Sequence, residues 1–422
     1  MSLLAHSLSP AFVAELRGQF PALGRKHKGQ SAVFLDGPAG TQVPQRVIAA
    51  ISDYLSRCNA NHGGLFATAR ESDAILEQAH RALADFVGAT DADEIAFGQN
   101  MTSLTFALSR ALGRTWKPGD EVLVTLLDHD ANVTPWVLAA RDAGATVKYV
   151  RFHREDCTLD LDDYRSKLSD RTRLVAVGCA SNATGGINPV KQMAQLAHEA
   201  GALVFADAVH FAPHGLVDVR ELEVDFLACS AYKFFGPHLG ILWGRRELLE
   251  NLEAYKVRPA TNDLPGKWMT GTQSHEAIAG GLAAVEYLAD IGRAVSQDAT
   301  LPRRSALVAA YQAIGKYEQS LISALLAGLA AIPEVKVWGI VDPDRLSNRV
   351  STLSLTHARY TSAQLAQHLD QAGIFAWHGN YYALNLSEQL GHEPQGMLRL
   401  GLVHYNTLDE VSRTLAALRS LP

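Results

Sequence analysis

The sequence predicts an α/β protein with a large domain, whose mostly parallel sheet lies between helices, and a smaller α+β C-terminal domain. From residue 94 to residue 230, short apolar runs typical of strands alternate with segments of helical periodicity. Such alternation indicates βαβ units, which build a parallel sheet covered on both faces. The alternation stops after Gly244, and an irregular segment over residues 251–275 precedes a long helical region and further strands. The change of pattern predicts a second domain.

Each element of the predicted large domain has a local signal. Ser9 followed by Pro10 is typical of a helix start, because serine caps the helix and proline fits its first turn. A strand is predicted over residues 31–35, and Pro44 opens a helix that runs towards Leu55. The later elements follow from apolar runs and periodicity. They are strands near 94–98, 122–126, 147–150, 174–177, 203–207 and 224–230, and helices at 71–87, from 102, at 134–143, at 161–168 and at 190–200.

The predicted C-terminal domain begins with helices and continues with strands. A helical region runs from His275 to Ile332 with a break near Pro302. The remaining signals are strands at 335–339, 351–355 and 398–403, and capping boxes that open helices at Thr361 and Thr407. We therefore predict an N-terminal arm that joins the small domain (1–30), a large domain (31–275), and a small domain with its linking helix (276–422).

Composition excludes several classes of protein. The 422 residues are 47% hydrophobic and carry a formal net charge of −6, which argues against a nucleic-acid binder that relies on general electrostatics. Neither a signal peptide nor an apolar run long enough for a membrane span is predicted. The four cysteines are scattered without metal or redox spacing, which predicts reduced thiols in a cytoplasmic protein and no metal site. They are Cys58, Cys157, Cys179 and Cys229.

Two residues at strand ends carry the strongest chemical signal. Lys233 follows an apolar strand and precedes a Gly-Pro break, where desolvation would lower the pKa of its amine and favour a Schiff-base nucleophile. A lone lysine at such a place is usually an ordinary solvated residue. Asp207 ends the preceding predicted strand, and its carboxylate could pair with a ring nitrogen, as a pyridoxal phosphate enzyme needs. Together the two residues predict pyridoxal 5′-phosphate as cofactor.

Further polar residues fall at the carboxyl ends of predicted strands, where ligands bind in open parallel sheets. A helix starts near Thr102, and its free amides could hold a phosphate, although any capped helix start would look the same. His62 lies in a flexible turn over residues 59–64 and could either face an active site or cap the turn. The polar residues at strand ends are Asn100, His129, Asn182, Asp207, Ser230 and Lys233.

In these motifs the chain resembles the class V aminotransferases, which are fold-type I pyridoxal phosphate enzymes. They include cysteine desulfurase, selenocysteine lyase and isopenicillin N epimerase. The likeness runs from Leu35-Asp36 to Tyr405-Asn406-Thr407. It implies that Lys233 is the Schiff-base lysine and the base that moves the α-proton, that Asp207 keeps the pyridine nitrogen protonated, and that His129 stacks on the cofactor ring.

The resemblance also implies the remaining contacts. The Asn100-Met101-Thr102 turn and Ser230 would hold the phosphate, and Asn182 would lie near the cofactor O3′ and the substrate carboxylate. Arg399 would clamp that carboxylate through its bidentate fork. Gly271-Thr272 would reach the phosphate of a neighbouring subunit, which implies a homodimer with shared active sites.

Three departures from the desulfurase pattern matter. His210 replaces a glutamine and could still donate to O3′, and Tyr232 replaces a histidine and could still reach a phosphate. Tyr382 falls where desulfurases carry the cysteine that becomes a persulfide, and no cysteine occurs after Cys229. A phenol with a pKa of about 10 does not accept sulfur. Chemistry through a protein persulfide is therefore not expected.

The resemblance leaves the reaction open among three outcomes on an L-amino acid. A β-lyase that breaks a C–S or C–Se bond directly needs no acceptor cysteine and is our first prediction, with an epimerase or an aminotransferase as the alternative. The segment from Trp377 to Tyr382 is expected to decide, with His378 and Tyr382 contacting substrate. Tyr381 or Tyr382 could supply a proton or only form an aromatic wall. A non-catalytic regulator would need an N-terminal DNA-binding module, for which about thirty residues are too few.

Overall fold

A computed structural model describes residues 8–422 of the chain, so the first seven residues of the predicted arm lie outside the described part. The helices are α1 Pro10–Gly18, α2 Gln45–Arg57, α3 Ala67–Val87, α4 Met101–Gly113, α5 Thr134–Ala143, α6 Leu161–Lys167, α7 Val190–Glu199, α8 Val219–Leu222, α9 Arg246–Asn251, α10 His275–Ser296, α11 Arg303–Ala330, α12 Ser362–Gln371, α13 Leu384–Leu390 and α14 Leu408–Arg419. The strands are β1 Lys26–His27, β2 Gln30–Ser31, β3 Val33–Phe34, β4 Ile95–Gly98, β5 Glu121–Thr125, β6 Thr146–Val150, β7 Thr172–Gly178, β8 Leu203–Asp207, β9 Phe226–Ser230, β10 Gly240–Gly244, β11 Val335–Trp338, β12 Thr352–His357, β13 Ile374–Phe375, β14 Trp377–Gly379 and β15 Met397–Gly401.

The large sheet has seven strands in the order β4-β10-β9-β8-β7-β5-β6. Strand β10 pairs antiparallel with both β4 and β9, and the remaining neighbours pair parallel. The prediction of a mostly parallel sheet between helices is confirmed. The antiparallel strand β10 was not predicted, because the alternation of strands and helices does not signal a strand that follows directly on the lysine loop.

Alternate residues of the central strands face two different helical layers. In β7, Leu174 and Ala176 pack in one apolar cluster, and Val175 and Val177 pack in the other. All four side chains are almost fully buried, which explains why these strands are continuous apolar runs and not polar-apolar alternations. The sheet therefore forms the middle of a three-layer structure.

A second, four-stranded antiparallel sheet has the order β11-β12-β15-β14 and packs with α11, α12 and α14 around its own apolar cluster. The predicted break between the two long helices and both capping boxes are confirmed. The N-terminal segment packs beside this sheet: β3 pairs parallel with β13 in a separate two-stranded sheet, and Arg17 in α1 binds Glu410 in α14 at 2.8 Å. The boundaries proposed for the domains stay a prediction.

The segment over residues 252–274 is irregular, as predicted, with one 3-10 turn over residues 266–268. Within residues 8–422, every helix is either too short or too polar to cross a lipid bilayer. The cytoplasmic location stays a prediction.

Helices α10 and α11 cross closely at a glycine. A Cβ atom built on Gly292 would lie 1.7 Å from the carbonyl oxygen of Ala306, whereas one on Gly315 meets no atom within 4 Å. We expect Gly292→Ala to lower the free energy of unfolding by about 3 kcal/mol or more through overpacking. Gly315→Ala, its control in the middle of α11, should raise stability by about 0.5–1 kcal/mol through helix propensity. Urea denaturation measures both changes, and a similar loss in the two variants would contradict the packing argument.

Candidate active site

One cavity of about 1020 Å³ opens at the carboxyl ends of the parallel strands. The chain returns to this edge after β4, β5, β7, β8 and β9, so residues distant in sequence converge there. Most of the residues predicted for the site line this cavity. They are Asn100, Met101, Thr102, His129, Asn182, Asp207, His210, Ser230, Tyr232, Lys233, His378, Tyr382 and Arg399.

Lys233 lies in a short 3-10 turn directly after β9. Its Nζ donates a hydrogen bond to the carbonyl oxygen of Pro38. Burial of the amine and, secondly, the charge of Arg399 lower the pKa of Lys233 to about 7, although Asp207 acts in the opposite direction. A substantial fraction of the amine is therefore neutral near pH 7, as a nucleophile or a base requires.

Two buried carboxyl groups lie at the floor of the cavity. Asp207 ends β8, its Oδ1 accepts from the amide of Val209 at 2.8 Å, and burial raises its pKa to about 6. Asp128 accepts from the amide of Gly178 at 3.0 Å, and burial together with the nearby charge of Asp207 raises its pKa to about 7. Sequence reasoning did not assign Asp128, although it directly precedes His129. The pair can hold a proton at this end of the cavity.

The start of α4 forms a polar pocket. Asn100 caps the helix by accepting from the amide of Ser103 at 2.9 Å, and the amide of Met101 donates to Ser230 Oγ at 2.9 Å. Strand β10 passes so close that a Cβ on Gly240 would lie 2.5 Å from the backbone of Asn100, so only glycine fits there. First-turn amides and the helix dipole favour an anion, and a phosphate suits this pocket.

His129 forms one wall of the cavity. Its Nδ1 accepts from the amide of Ala131 at 3.0 Å, which places any ring proton on Nε2. Burial and the charges of Lys233 and Arg399 lower its pKa to about 4, so the imidazole is neutral near pH 7. Its ring stacks on Tyr382, with 5.3 Å between centroids and 25° between planes.

The loop that follows β7 of the large sheet is held by three side chains. Two of them lie in strands β12 and β15 of the smaller sheet, and the third lies just before β12. The carbonyl oxygens of three consecutive residues, 182–184, accept in turn from Arg399 at 2.8 Å, Ser354 at 2.7 Å and Arg349 at 3.3 Å. We call this set of contacts the carbonyl clamp. It fixes the loop that carries Asn182 against the strand that carries Arg399.

Arg399 is buried at the top of the cavity, with its guanidinium 4.2 Å from the ring centroid of Tyr381. Burial lowers its pKa to about 10. Among the ion pairs of residues 8–422, none includes Arg399. Since a guanidinium carries five N–H donors in a planar fork, a bound carboxylate is the partner that this position suits.

The two adjacent tyrosines of the β14–α13 loop differ in what they can do. Both have left-handed backbones, with φ of 57° for Tyr381 and 60° for Tyr382. Their carbonyl oxygens accept from the Asn182 side chain at 2.9 Å and from the amide of Asp130 at 2.7 Å, respectively. The hydroxyl of Tyr381 is bonded to the carbonyl of Met397, whereas the ring of Tyr382 is 72% exposed at the cavity mouth. Tyr382 is therefore the tyrosine that remains available to a ligand.

Two predicted residues lie outside the cavity of their own chain. His62 is exposed in the turn after α2, and its ring lies 6.3 Å from that of His275 at the start of α10. Thr272 is exposed three residues before that helix. Their predicted contacts with substrate and phosphate stay predictions that require a second subunit.

The residues of the cavity fit pyridoxal phosphate. His210 Nε2 and Asn182 Oδ1 are buried without a hydrogen-bond partner in the described part of the chain, and both residues line the cavity. A neutral amine at Lys233, a carboxyl at Asp207 and an anion pocket at α4 supply the other contacts that this cofactor needs. Such a fold and site define an enzyme with a lysine-bound carbonyl cofactor.

Comparison with known proteins agrees with this class. The profile of the Aminotransferase class-V family matches residues 33–414. A probable cysteine desulfurase of Synechocystis is 31% identical, with 97% of this chain and 96% of that protein covered. The aminotransferase-like protein FGM3 of Gibberella zeae is 32% identical, with 98% and 99% covered. The apo structure of a cysteine desulfurase from Thermococcus onnurineus superposes with a TM-score of 0.84 at 25% identity over 96% of both chains.

The chain belongs to the class V aminotransferase family, as the motifs predicted. It is a pyridoxal phosphate-dependent enzyme that acts on an amino acid and resembles the cysteine desulfurases.

The pKa of Lys233 gives a test of the site. In cofactor-free protein, the rate at which pyridoxal phosphate becomes trapped by borohydride should rise with pH and reach its midpoint near pH 7, because only the neutral amine reacts. Arg399→Gln removes a neighbouring positive charge and should shift the midpoint to higher pH. Lys233→Ala is the control and should trap no cofactor on the protein. A midpoint at the ordinary lysine value, or trapping in the control, would show that the assignment of Lys233 is wrong.

Proposed function

We propose that the protein is a β-lyase that cleaves a C–S or C–Se bond of an L-amino acid and uses no protein persulfide. The observation that supports this is the position of the cysteines. All four are buried, burial raises the pKa of each thiol, and none lines the cavity. Since the thiolate is the reactive form, these thiols are poor sulfur acceptors.

The residues of the chain divide the work as follows. Arg399 and Asn182 bind and orient the substrate carboxylate. Bound pyridoxal phosphate supplies an electron sink that stabilises negative charge at Cα. Asp207 holds a proton at the ring nitrogen, and the neutral amine of Lys233 takes the proton from Cα, a step typically worth 10²–10⁴-fold in rate.

The leaving group would lie towards the cavity mouth, which is lined by Trp377, His378 and Tyr382. All three side chains are exposed, so a released thiol could leave the cavity past them. An aminotransferase is the second candidate, because the FGM3 relative is described as aminotransferase-like. An epimerase would need a second proton donor besides Lys233, and Tyr382, which also lines the cavity, is a candidate for that role.

Product analysis separates the three reactions. The holoenzyme is incubated with L-cysteine, an S-alkylcysteine, L-selenocysteine or L-alanine, and we expect pyruvate and ammonia from one or more of the first three. Lys233→Ala should lower pyruvate formation by about 10³-fold, as loss of a general base does. The mass of the protein chain should stay unchanged after turnover, because no persulfide forms.

Pyridoxamine phosphate with an oxo acid would identify an aminotransferase, and inversion of configuration alone would identify an epimerase. A persulfide on any cysteine during turnover would contradict the proposed reaction.

Exposed residues that lie outside the cavity lead us to propose a homodimer with shared active sites. The turn with His62 and the segment with Thr272 lie side by side at the start of α10, away from the cavity of their own chain. Next to His62, Leu65 is 94% exposed, and Phe66 is also exposed. Large apolar side chains exposed next to each other suit a covered surface. A two-fold dimer would cover them and bring Thr272 to the partner's cavity.

Complementation tests the shared site. Thr272→Asp should weaken cofactor binding by charge repulsion with the phosphate, and Lys233→Ala should remove the base. If the sites are shared, mixing the two inactive variants and allowing subunit exchange restores about a quarter of the parental sites, because each mixed dimer has one intact site. Thr261→Asp, on an exposed threonine of the same irregular segment, is the control and should bind cofactor normally. Failure to regain activity in verified mixed dimers would contradict sharing.

A further inference from the structure

A buried histidine and a buried glutamate contact each other outside the cavity. His214 Nδ1 and Glu318 Oε2 are 2.6 Å apart, and each side chain is only 3% exposed. Ser351 Oγ donates to the same carboxylate oxygen at 3.1 Å. Neither His214 nor Glu318 lines the cavity, and neither has a part in the reaction described above.

Helix α11 holds the turn that carries His210. Residues 208–215 form this turn directly after Asp207. Glu318 of α11 binds His214, and the hydroxyl of Tyr311 donates to the carbonyl of Ala212 at 2.5 Å. Tyr311 and Glu318 are two helical turns apart, on one face of α11. The turn is therefore fixed at two points by a helix that lies outside the cavity.

The pair also acts on the charge of His210. The rings of His210 and His214 are 5.4 Å apart, with 66° between their planes, and Glu318 holds the His214 ring. Burial, then His214, and then the cavity cations, lower the pKa of His210 far below its usual value. The groups that face His210 from the other elements are Arg399, Lys233 and His129, and Asp207 lies three residues before it.

A neutral imidazole has one N–H donor and one acceptor nitrogen, whereas a charged one has two donors. His210 Nε2 is buried without a partner and belongs to a residue that lines the cavity. The imidazole of His210 can therefore form a specific hydrogen bond only when the orientation of its ring and its protonation state are both fixed.

We propose that His214 and Glu318 are positioning residues that hold the turn of His210 and orient its ring towards the bound cofactor. The inference rests on the assignment of the cavity to pyridoxal phosphate and not on the lyase reaction. A buried pair of titratable side chains contributes little net stability, because desolvation offsets the attraction between them. What the pair contributes at this place is the orientation of the turn that carries His210.

A double-mutant cycle tests the proposal. Glu318→Gln keeps the size of the side chain and removes its charge, and His210→Gln removes the imidazole on which the pair should act. Two quantities are measured for the parent, both single variants and the double variant. They are the dissociation constant of pyridoxal phosphate and the pH midpoint of the absorbance of the bound cofactor.

We expect Glu318→Gln to weaken cofactor binding roughly tenfold and to shift the pH midpoint in the parental background, within the range found for coupled neighbours. In the His210→Gln background the same substitution should change neither quantity. Asp225→Asn is the control, because Asp225 is buried and contacts the half-buried ring of His198 at 2.8 Å, away from the cavity. It should leave both quantities unchanged even if it lowers stability.

Equal effects of Glu318→Gln in both backgrounds would show a purely structural role and overturn the proposal. No effect of His210→Gln alone would overturn it as well, because His210 would then not contact the cofactor. Neither result bears on the product assay for the β-lyase. If Glu318→Gln does not fold, Ser351→Ala replaces it in the cycle, since it removes one hydrogen bond to Glu318 and no charge.

Discussion

Two buried arginines hold the loop that carries Asn182 into the cavity wall. Arg399 and Arg349 take part in the carbonyl clamp on residues 182–184, and within residues 8–422 neither has a carboxylate partner. Burial lowers the pKa of both to about 10, so both remain charged at neutral pH and depend on carbonyl oxygens for compensation. The loop follows β7 of the large sheet, Arg399 lies in β15 of the smaller sheet, and Arg349 lies just before β12, so the clamp ties the two sheets together beside the cavity.

Burial also sets the chemistry inside those walls. The same desolvation that lowers the pKa of Lys233 raises the pKa of Asp207 and Asp128, because in each case the charged form is disfavoured. Near neutral pH the cavity therefore holds an amine that is partly neutral and a carboxyl group, that of Asp128, that is partly protonated. In water the carboxyl group would give its proton to the amine. The presence of both neutral forms therefore depends on the apolar layers that cover the sheet.

Much of the fold was predictable, because its signals are local. Apolar runs and helical periodicity gave the order of elements, and the rule for parallel strand ends brought Asp207 and Lys233 together. Contacts between distant segments leave no local pattern: the pair of His214 and Glu318 spans 104 residues. Asp128 was missed for a similar reason, since its role depends on the amide of Gly178 and on the charge of Asp207.

The left-handed backbone conformation of Tyr381 and Tyr382 limits how the reaction of this enzyme could change. Non-glycine residues in that conformation carry strain of roughly 1–3 kcal/mol each, and here the surrounding contacts hold them. A thiol placed at residue 382 by one exchange would sit on backbone anchored to Asp130 and Asn182. Its side chain would be exposed at the cavity mouth, as that of Tyr382 is, but its main chain would be held in place. We therefore expect a sulfur relay, in which the thiol moves towards another protein, to require looser contacts of this segment as well as a cysteine.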